Sequence, residues 1–319
     1  MAKPPIFLTR TLHEKIMNEL SERFDLRYER SDRSLEKDAI KKGLRDSEGL
    51  ISMLSDPIDR EVIEAGNRLK IIANYAVGYN NIDLLAAKER SIAVTNTPGV
   101  LTETTADLSW ALLTAVARRI PEADRWVRDG KWQGWAPTEL LGHDIHNKTL
   151  GIIGMGRIGQ AVARRAGGFS MRVIYTSRTR RSDIETSLGI HCVSLDELLR
   201  TSDFVSLHLP LTDASTHLID RRAFQKMKTG AFLINTARGP IVDENALVDA
   251  LMDGDIAGAG LDVYENEPEI TQKLLRMDNV VALPHIGSAS HETRVAMGKR
   301  VLENLIALFS NRRPPNMVN

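Results

Sequence analysis

The chain has 319 residues, with Lys+Arg 42 balanced by Asp+Glu 42, and hydrophobic and charged fractions of 42% and 26%. That is the profile of a globular protein with one large or two medium domains. The zero net charge argues against nucleic acid or an anionic membrane as a partner, since both call for a basic surplus. The single cysteine, Cys192, leaves no disulfide framework or Cys-rich zinc site and suits a reducing, cytoplasmic setting. The opening Met1-Ala2-Lys3-Pro4-Pro5-Ile6 lacks the apolar run of a secretory signal, and no stretch approaches the roughly 18 apolar residues of a membrane span.

Ile6-Phe7-Leu8 reads as a strand, and Leu12, Ile16, Leu20 and Phe24 recur at helical spacing. Further strands are expected at 49–54, 69–74 and 93–96, with helices at 59–65 and 84–90 between them. Such alternation predicts parallel strands joined by crossover helices. Thr97-Pro98-Gly99 breaks the pattern. One long helix is expected from Thr102, as N-cap, to about Arg128, with Gly130 as its stop. A second series places strands at 149–154, 171–175, 204–209, 231–235, 257–263 and 280–283. The final helix, about 290–310, follows the last strand with almost no linker and is expected to cross back to the first unit.

Gly154-Met155-Gly156-Arg157-Ile158-Gly159 follows one of these strands and opens a helix. Gly154 permits the tight turn, Gly156 lets backbone approach a pyrophosphate, and Gly159 lets helix close on strand. The pattern predicts dinucleotide binding. At the end of the next strand, where an acidic residue would hold a ribose 2′-hydroxyl, the chain has Thr176-Ser177-Arg178-Thr179-Arg180-Arg181, with no carboxylate before Asp183. A hydroxyl and arginines suit a 2′-phosphate, so NADP(H) is expected over NAD(H), which stays the alternative. A merely solvated arginine loop is the competing reading.

Three polar residues follow three later strands: Arg238, Glu267 and His285. Ligands of open parallel sheets bind outside the carboxyl ends of strands, so these three can converge. An arginine fork grips a carboxylate and polarises a carbonyl. Histidine donates a proton near neutral pH, and a glutamate beside it favours its charged form. Next to a reduced nicotinamide, that set makes a reductase of 2-oxo acids. Taken singly, each residue also fits a surface ion pair, an acidic loop or a turn. His143 and His146 sit in a loop-like segment, and no metal site is expected.

Asn74-Tyr75-Ala76-Val77-Gly78-Tyr79-Asn80-Asn81-Ile82-Asp83, the glycine turn, Asn235–Gly239, Gly260–Glu265 and Pro284–Ser288 together resemble the D-2-hydroxyacid dehydrogenases, most of all their glyoxylate/hydroxypyruvate reductases. The resemblance implies two Rossmann-like or flavodoxin-like doubly wound parallel-sheet domains with a cleft between them. Residues 1–98 with 287–319 would bind substrate, and 99–286 the dinucleotide. It implies Arg238 as substrate binder, Glu267 as partner of His285, and His285 as proton donor. Backbone at Val77 and Gly78 would hold the substrate carboxylate, with Leu54, Ser288 and Trp135 also lining the substrate. Thr105, Met155, Arg157, Ile158, Ser177, Arg178, Thr179, Leu209, Pro210, Thr236, Ala237, Asp262 and Gly287 would join the glycines around the cofactor, Asp262 at the nicotinamide carboxamide. A homodimer is implied, with Trp132 or Trp135 in its interface. Lactate- or phosphoglycerate-type dehydrogenases, and a non-catalytic nucleotide-sensing corepressor, are the alternatives.

Overall fold

The computed structural model describes residues 3–30 and 33–319; Met1 and Ala2 of the opening segment lie outside them. The chain divides into two compact units, Met1–Leu101 with Ser288–Asn319, and Thr102–Gly287. The first boundary falls where a helix begins, three residues beyond the expected one.

In the first unit the order is β1 (Pro5–Leu8), α1 (Glu14–Arg23), β2 (Asp25–Tyr28), α2 (Lys37–Leu44), β3 (Gly49–Ser52), α3 (Arg60–Ala65), β4 (Ile71–Asn74), α4 (Leu84–Glu89) and β5 (Ala93–Thr95). The five strands pair in parallel in the order β2-β1-β3-β4-β5. The strands β3, β4 and β5 are buried along their whole length, as expected where helices cover both faces of a parallel sheet. Ile6, Leu8, Ile51, Ile71 and Ile72 are fully buried, each contributing about 1.5–3 kcal/mol. The strand β2 was not foreseen: its Asp-Leu-Arg-Tyr sequence lies at the sheet edge, mostly exposed, and carries no apolar signal.

In the second unit come α5 (Thr102–Ala117), α6 (Ile120–Arg128), β6 (Thr149–Ile153), α7 (Arg157–Ala166), β7 (Arg172–Thr176), α8 (Ser182–Leu188), β8 (His191–Cys192), α9 (Leu195–Thr201), β9 (Phe204–Leu207), α10 (Arg221–Phe224), β10 (Phe232–Asn235), α11 (Glu244–Asp253), β11 (Gly258–Leu261) and β12 (Val280–Ala282). The seven-stranded sheet runs β12-β11-β10-β9-β6-β7-β8. Alternate residues serve opposite faces. Val205, Leu207 and Leu233 join one apolar cluster, while Phe204, Phe232 and Ile234 join the other.

The expected single helix from Thr102 to Arg128 is two helices, and Thr102 lies inside the first turn rather than capping it. Arg119 adopts a left-handed conformation between them, with Pro121 in the first turn of α6. Proline has no N–H for the carbonyl four residues earlier and clashes with it. That carbonyl, of Ala117, accepts the His143 amide instead, at 2.8 Å. The last helix, α12 (His291–Phe309), is capped by Ser290 and belongs to the first unit, as expected. Its buried Asn304 accepts the Asn316 amide at 3.1 Å, and Tyr75 donates to Arg294 O at 2.5 Å.

Candidate active site

Strand order in the seven-stranded sheet reverses beside β6, and the glycine turn follows β6 directly. A crevice for a nucleotide is expected there. Gly154 has φ +101, and a Cβ on it would stand 2.4 Å from His208 O. A Cβ on Gly159 would stand 2.1 Å from Gly154 O, so only glycine lets α7 come this close to the strand. Gly156 faces open space and caps α7 with no side chain bonded over its first-turn amides. Unobstructed amides at a helix N-terminus suit a pyrophosphate. Met155 is buried, whereas Arg157 is exposed and Ile158 half-buried.

The arginines after β7 separate. Arg180 makes a forked pair with Glu185, with contacts of 2.8 to 3.1 Å, and Arg181 pairs with Asp183 at 3.1 Å. Tyr175 Oη anchors the same loop by donating to Glu185 and accepting the Arg181 amide. Arg178 is exposed and has no partner among the described residues, and Ser177 and Thr179 flank it. The solvated-loop reading therefore holds for Arg180 and Arg181, leaving Arg178 available.

Farther along the sheet, Asn235 shapes the turn after β10: its Oδ1 accepts the Ala237 amide and its Nδ2 donates to Arg238 O, both at 3.0 Å. Gly239 packs where a Cβ would lie 1.8 Å from Tyr264 backbone, which brings the Arg238 turn against the segment after β11. Burial pushes the Arg238 guanidinium pKa down, and the Glu267 charge opposes that. His285 Nδ1 lies 2.8 Å from Glu267 Oε2. An ionised carboxylate only accepts, so Nδ1 carries the hydrogen and Nε2 is left without a partner among the described residues. Burial works against ionisation of Glu267, but the His285 hydrogen bond and charge, the Tyr264 amide and the Arg238 charge prevail. They hold its carboxyl below the ordinary range.

His285 has φ +55, a rare conformation for a non-glycine residue. What sustains it is Asp262, whose two oxygens accept the Ile286 and Gly287 amides at 2.7 and 2.8 Å. Thr105 Oγ1 donates to Gly287 O at 3.0 Å, closing the turn from its other side. Burial raises the Asp262 carboxyl pKa despite the amides and His285. This bracing was missed in the sequence: the partners of Asp262 lie 24 and 25 residues away, whereas Asn235 bonds its own turn two and three residues on, a local spacing that could have been read. Thr236 is buried, with its hydroxyl 2.8 Å from that of Ser109; Ala237 and Leu209 are half-buried and Pro210 is exposed.

In the first unit, Val77 O accepts from Asn96 Nδ2 and Gly78 O from Asn74 Nδ2, both at 2.8 Å. The Val77 and Gly78 amides have no partner among the described residues. Leu54 follows β3 and Ser288 opens the returning segment, both half-buried. Trp135 is 86% exposed, so it lines no pocket within its own unit.

The profile described as "D-isomer specific 2-hydroxyacid dehydrogenase, NAD binding domain" matches residues 110–287. The chain belongs to the D-isomer specific 2-hydroxyacid dehydrogenases. It is 52% identical over 319 residues to the glyoxylate reductase of Korarchaeum cryptofilum, covering 99% of this chain and 96% of that one. Identity to the Thermococcus litoralis glyoxylate reductase is 48% over 321 residues, covering 99% and 97%. A crystal structure from Thermus thermophilus matches with TM-score 0.92 at 48% identity, over 99% of this chain and 100% of that one. An NADPH-dependent glyoxylate/hydroxypyruvate reductase of Sinorhizobium meliloti, in complex with NADP and malonate, matches with TM-score 0.89 at 36% identity, over 99% and 97%. The chemistry of this dehydrogenase is NAD(P)H-dependent reduction of 2-oxo acids. No helix among the described residues is long and apolar enough to cross a membrane.

Proposed function

We propose that the protein is an NADPH-preferring reductase of glyoxylate and hydroxypyruvate, giving glycolate and D-glycerate. The observation carrying the chemistry is the His285–Glu267 pair at 2.8 Å with Nε2 unspent, in the same unit as Arg238. The full-length likeness to glyoxylate reductases supports the substrate class.

The open amides around Gly156 and the obligate glycines at 154 and 159 fit a nicotinamide dinucleotide. When bound, the reduced nicotinamide supplies the hydride that C2 of the 2-oxo acid accepts. Nε2–H of His285 gives its proton to the developing alkoxide, and Glu267 stabilises the charge on the imidazole before transfer. The Arg238 fork, in a site that has stripped much of its water, binds the carboxylate and polarises the carbonyl. In the first unit, the Val77 and Gly78 amides, without a partner among the described residues, are donors suited to a carboxylate. Arg178, without a partner among the described residues at the strand end between Ser177 and Thr179, supports NADPH over NADH.

We also propose a homodimer. Ile120, Val127, Trp132, Trp135 and Leu141 are all large, apolar and exposed along one short stretch of chain, more than scattered surface residues would account for.

Loss of absorbance at 340 nm, measured with NADPH and with NADH over a series of 2-oxo acids, tests the function. Turnover is expected with glyoxylate and hydroxypyruvate and faster with NADPH at limiting coenzyme. No substrate-dependent loss with any acid would favour a nucleotide-sensing role instead.

A further inference from the structure

Glu244 is a buried carboxylate to which the proton transfer assigns no part. It opens α11 directly after the Asp243 cap and is 7% exposed. Removing a carboxylate from water is costly unless its oxygens are satisfied, so its partners show what it serves. One oxygen, Oε2, accepts the Glu265 amide at 3.1 Å, and Oε1 accepts the Thr271 amide at 3.3 Å. The Glu244 amide returns a bond to Glu265 Oε2 at 3.2 Å. Glu265 and Thr271 bracket the segment that carries Glu267, so one side chain fixes both of its ends.

The network extends toward Arg238. His217 Nε2 lies 2.6 Å from Glu265 Oε1, and the His217 amide donates at 2.8 Å to Pro240 O, in the turn just after Arg238. Between its anchors, the segment around Glu267 is exposed and lies outside helix and strand, with the Glu269 amide on Asn266 O as an internal tie. Exposed irregular backbone moves readily. A 2.8 Å hydrogen bond to His285 tolerates shifts of only a few tenths of an ångström.

We infer that Glu244 is a positioning residue for the reduction: by clamping 265–271 at both ends it holds Glu267 Oε2 on His285 Nδ1. This rests on the His285–Glu267 reading above. Replacing Glu244 by Gln keeps the volume but turns one acceptor into a donor facing an amide N–H. The clamp then holds one end only.

The test compares Glu244→Gln, Glu267→Gln and the double variant with the wild type, as whole enzyme, in NADPH-dependent glyoxylate reduction across pH. NADPH affinity is read by fluorescence titration, and stability by thermal melting. For Glu244→Gln, kcat is expected to fall about 10- to 100-fold, the range that a 1 Å misplacement produces, while NADPH affinity holds. The acidic limb of kcat/KM should move to higher pH, because a Glu267 carboxyl no longer fixed on His285 loses the hydrogen bond that holds its pKa down. Asp262, Arg238 and Tyr264, which also face this pair, are unchanged in every variant. The double variant should be no slower than Glu267→Gln, since a residue acting only through Glu267 then has nothing left to act through. If Glu244→Gln fails to fold, Glu265→Ala, which keeps the amide that Glu244 accepts but removes the return bond from the Glu244 amide and the His217 contact, is expected to give the same pattern more weakly. Additive losses in the double variant, or lower stability with unmoved pH limbs, would overturn the inference. Full activity in Glu267→Gln would instead overturn the proton-transfer reading itself.

Discussion

Arg178, Arg180 and Arg181 sit within four positions of one another, yet only their partners separate their roles. Two are neutralised by the acidic first turn of α8, while the third meets solvent at the end of β7. A 2′-phosphate offers that free guanidinium a charge-assisted bond, a type of interaction that contributes about 1.5–3 kcal/mol. Arg178→Ala is therefore expected to raise KM for NADPH about tenfold or more by the same measure, leaving KM for NADH nearly unchanged in steady-state assays; equal effects on both coenzymes would reject the role. The three residues proposed to do the chemistry were legible as candidates in the sequence because each follows an apolar strand at its carboxyl end. The backbone bracing by Asp262, Asn235 and Glu244 was not, although Asp262 was expected at the nicotinamide carboxamide. Their side chains bind backbone groups of turns, and backbone partners leave little trace in residue type.

Elements with a full apolar period were legible to within a residue or two, α12 and β4 among them. The failures have separate physical causes. Pro121 splits the long helix because it cannot supply the hydrogen bond that Ala117 O requires, although the apolar period runs on across the break. The strands β2 and β8 are an exposed edge and a two-residue pairing, neither of which needs an apolar face. Splitting the helix also frees α6, none of whose residues is buried. Ile120 and Val127 are two turns apart on it, hence on one face, both about half exposed. If that face meets a second copy, Val127→Asp should convert a species of twice the chain mass to a single chain in light scattering. A wild-type protein already at the mass of one chain would refute the dimer.

For the molecule as a whole, the parallel order of the seven-stranded sheet explains how residues as far apart in the chain as Arg238 and His285 can serve one reaction. In the order 2-1-3-4-5 of the first unit and the reversal around β6 in the second, ligand crevices are expected outside the carboxyl ends of the strands. Arg238, Glu267 and His285 follow β10, β11 and β12, which are neighbours in the sheet. The crossing of the last helix back to the first unit was legible from the missing linker after β12, whereas the placement of the three side chains required coordinates. The central claim is that His285, held by Glu267, donates the proton. It is tested most directly by measuring kcat for glyoxylate reduction together with NADPH affinity in His285→Ala. The account predicts a fall in kcat of about 10²–10⁴ with NADPH binding intact. A variant that turns over near the wild-type rate, or one that loses NADPH binding in step with its activity, would contradict it.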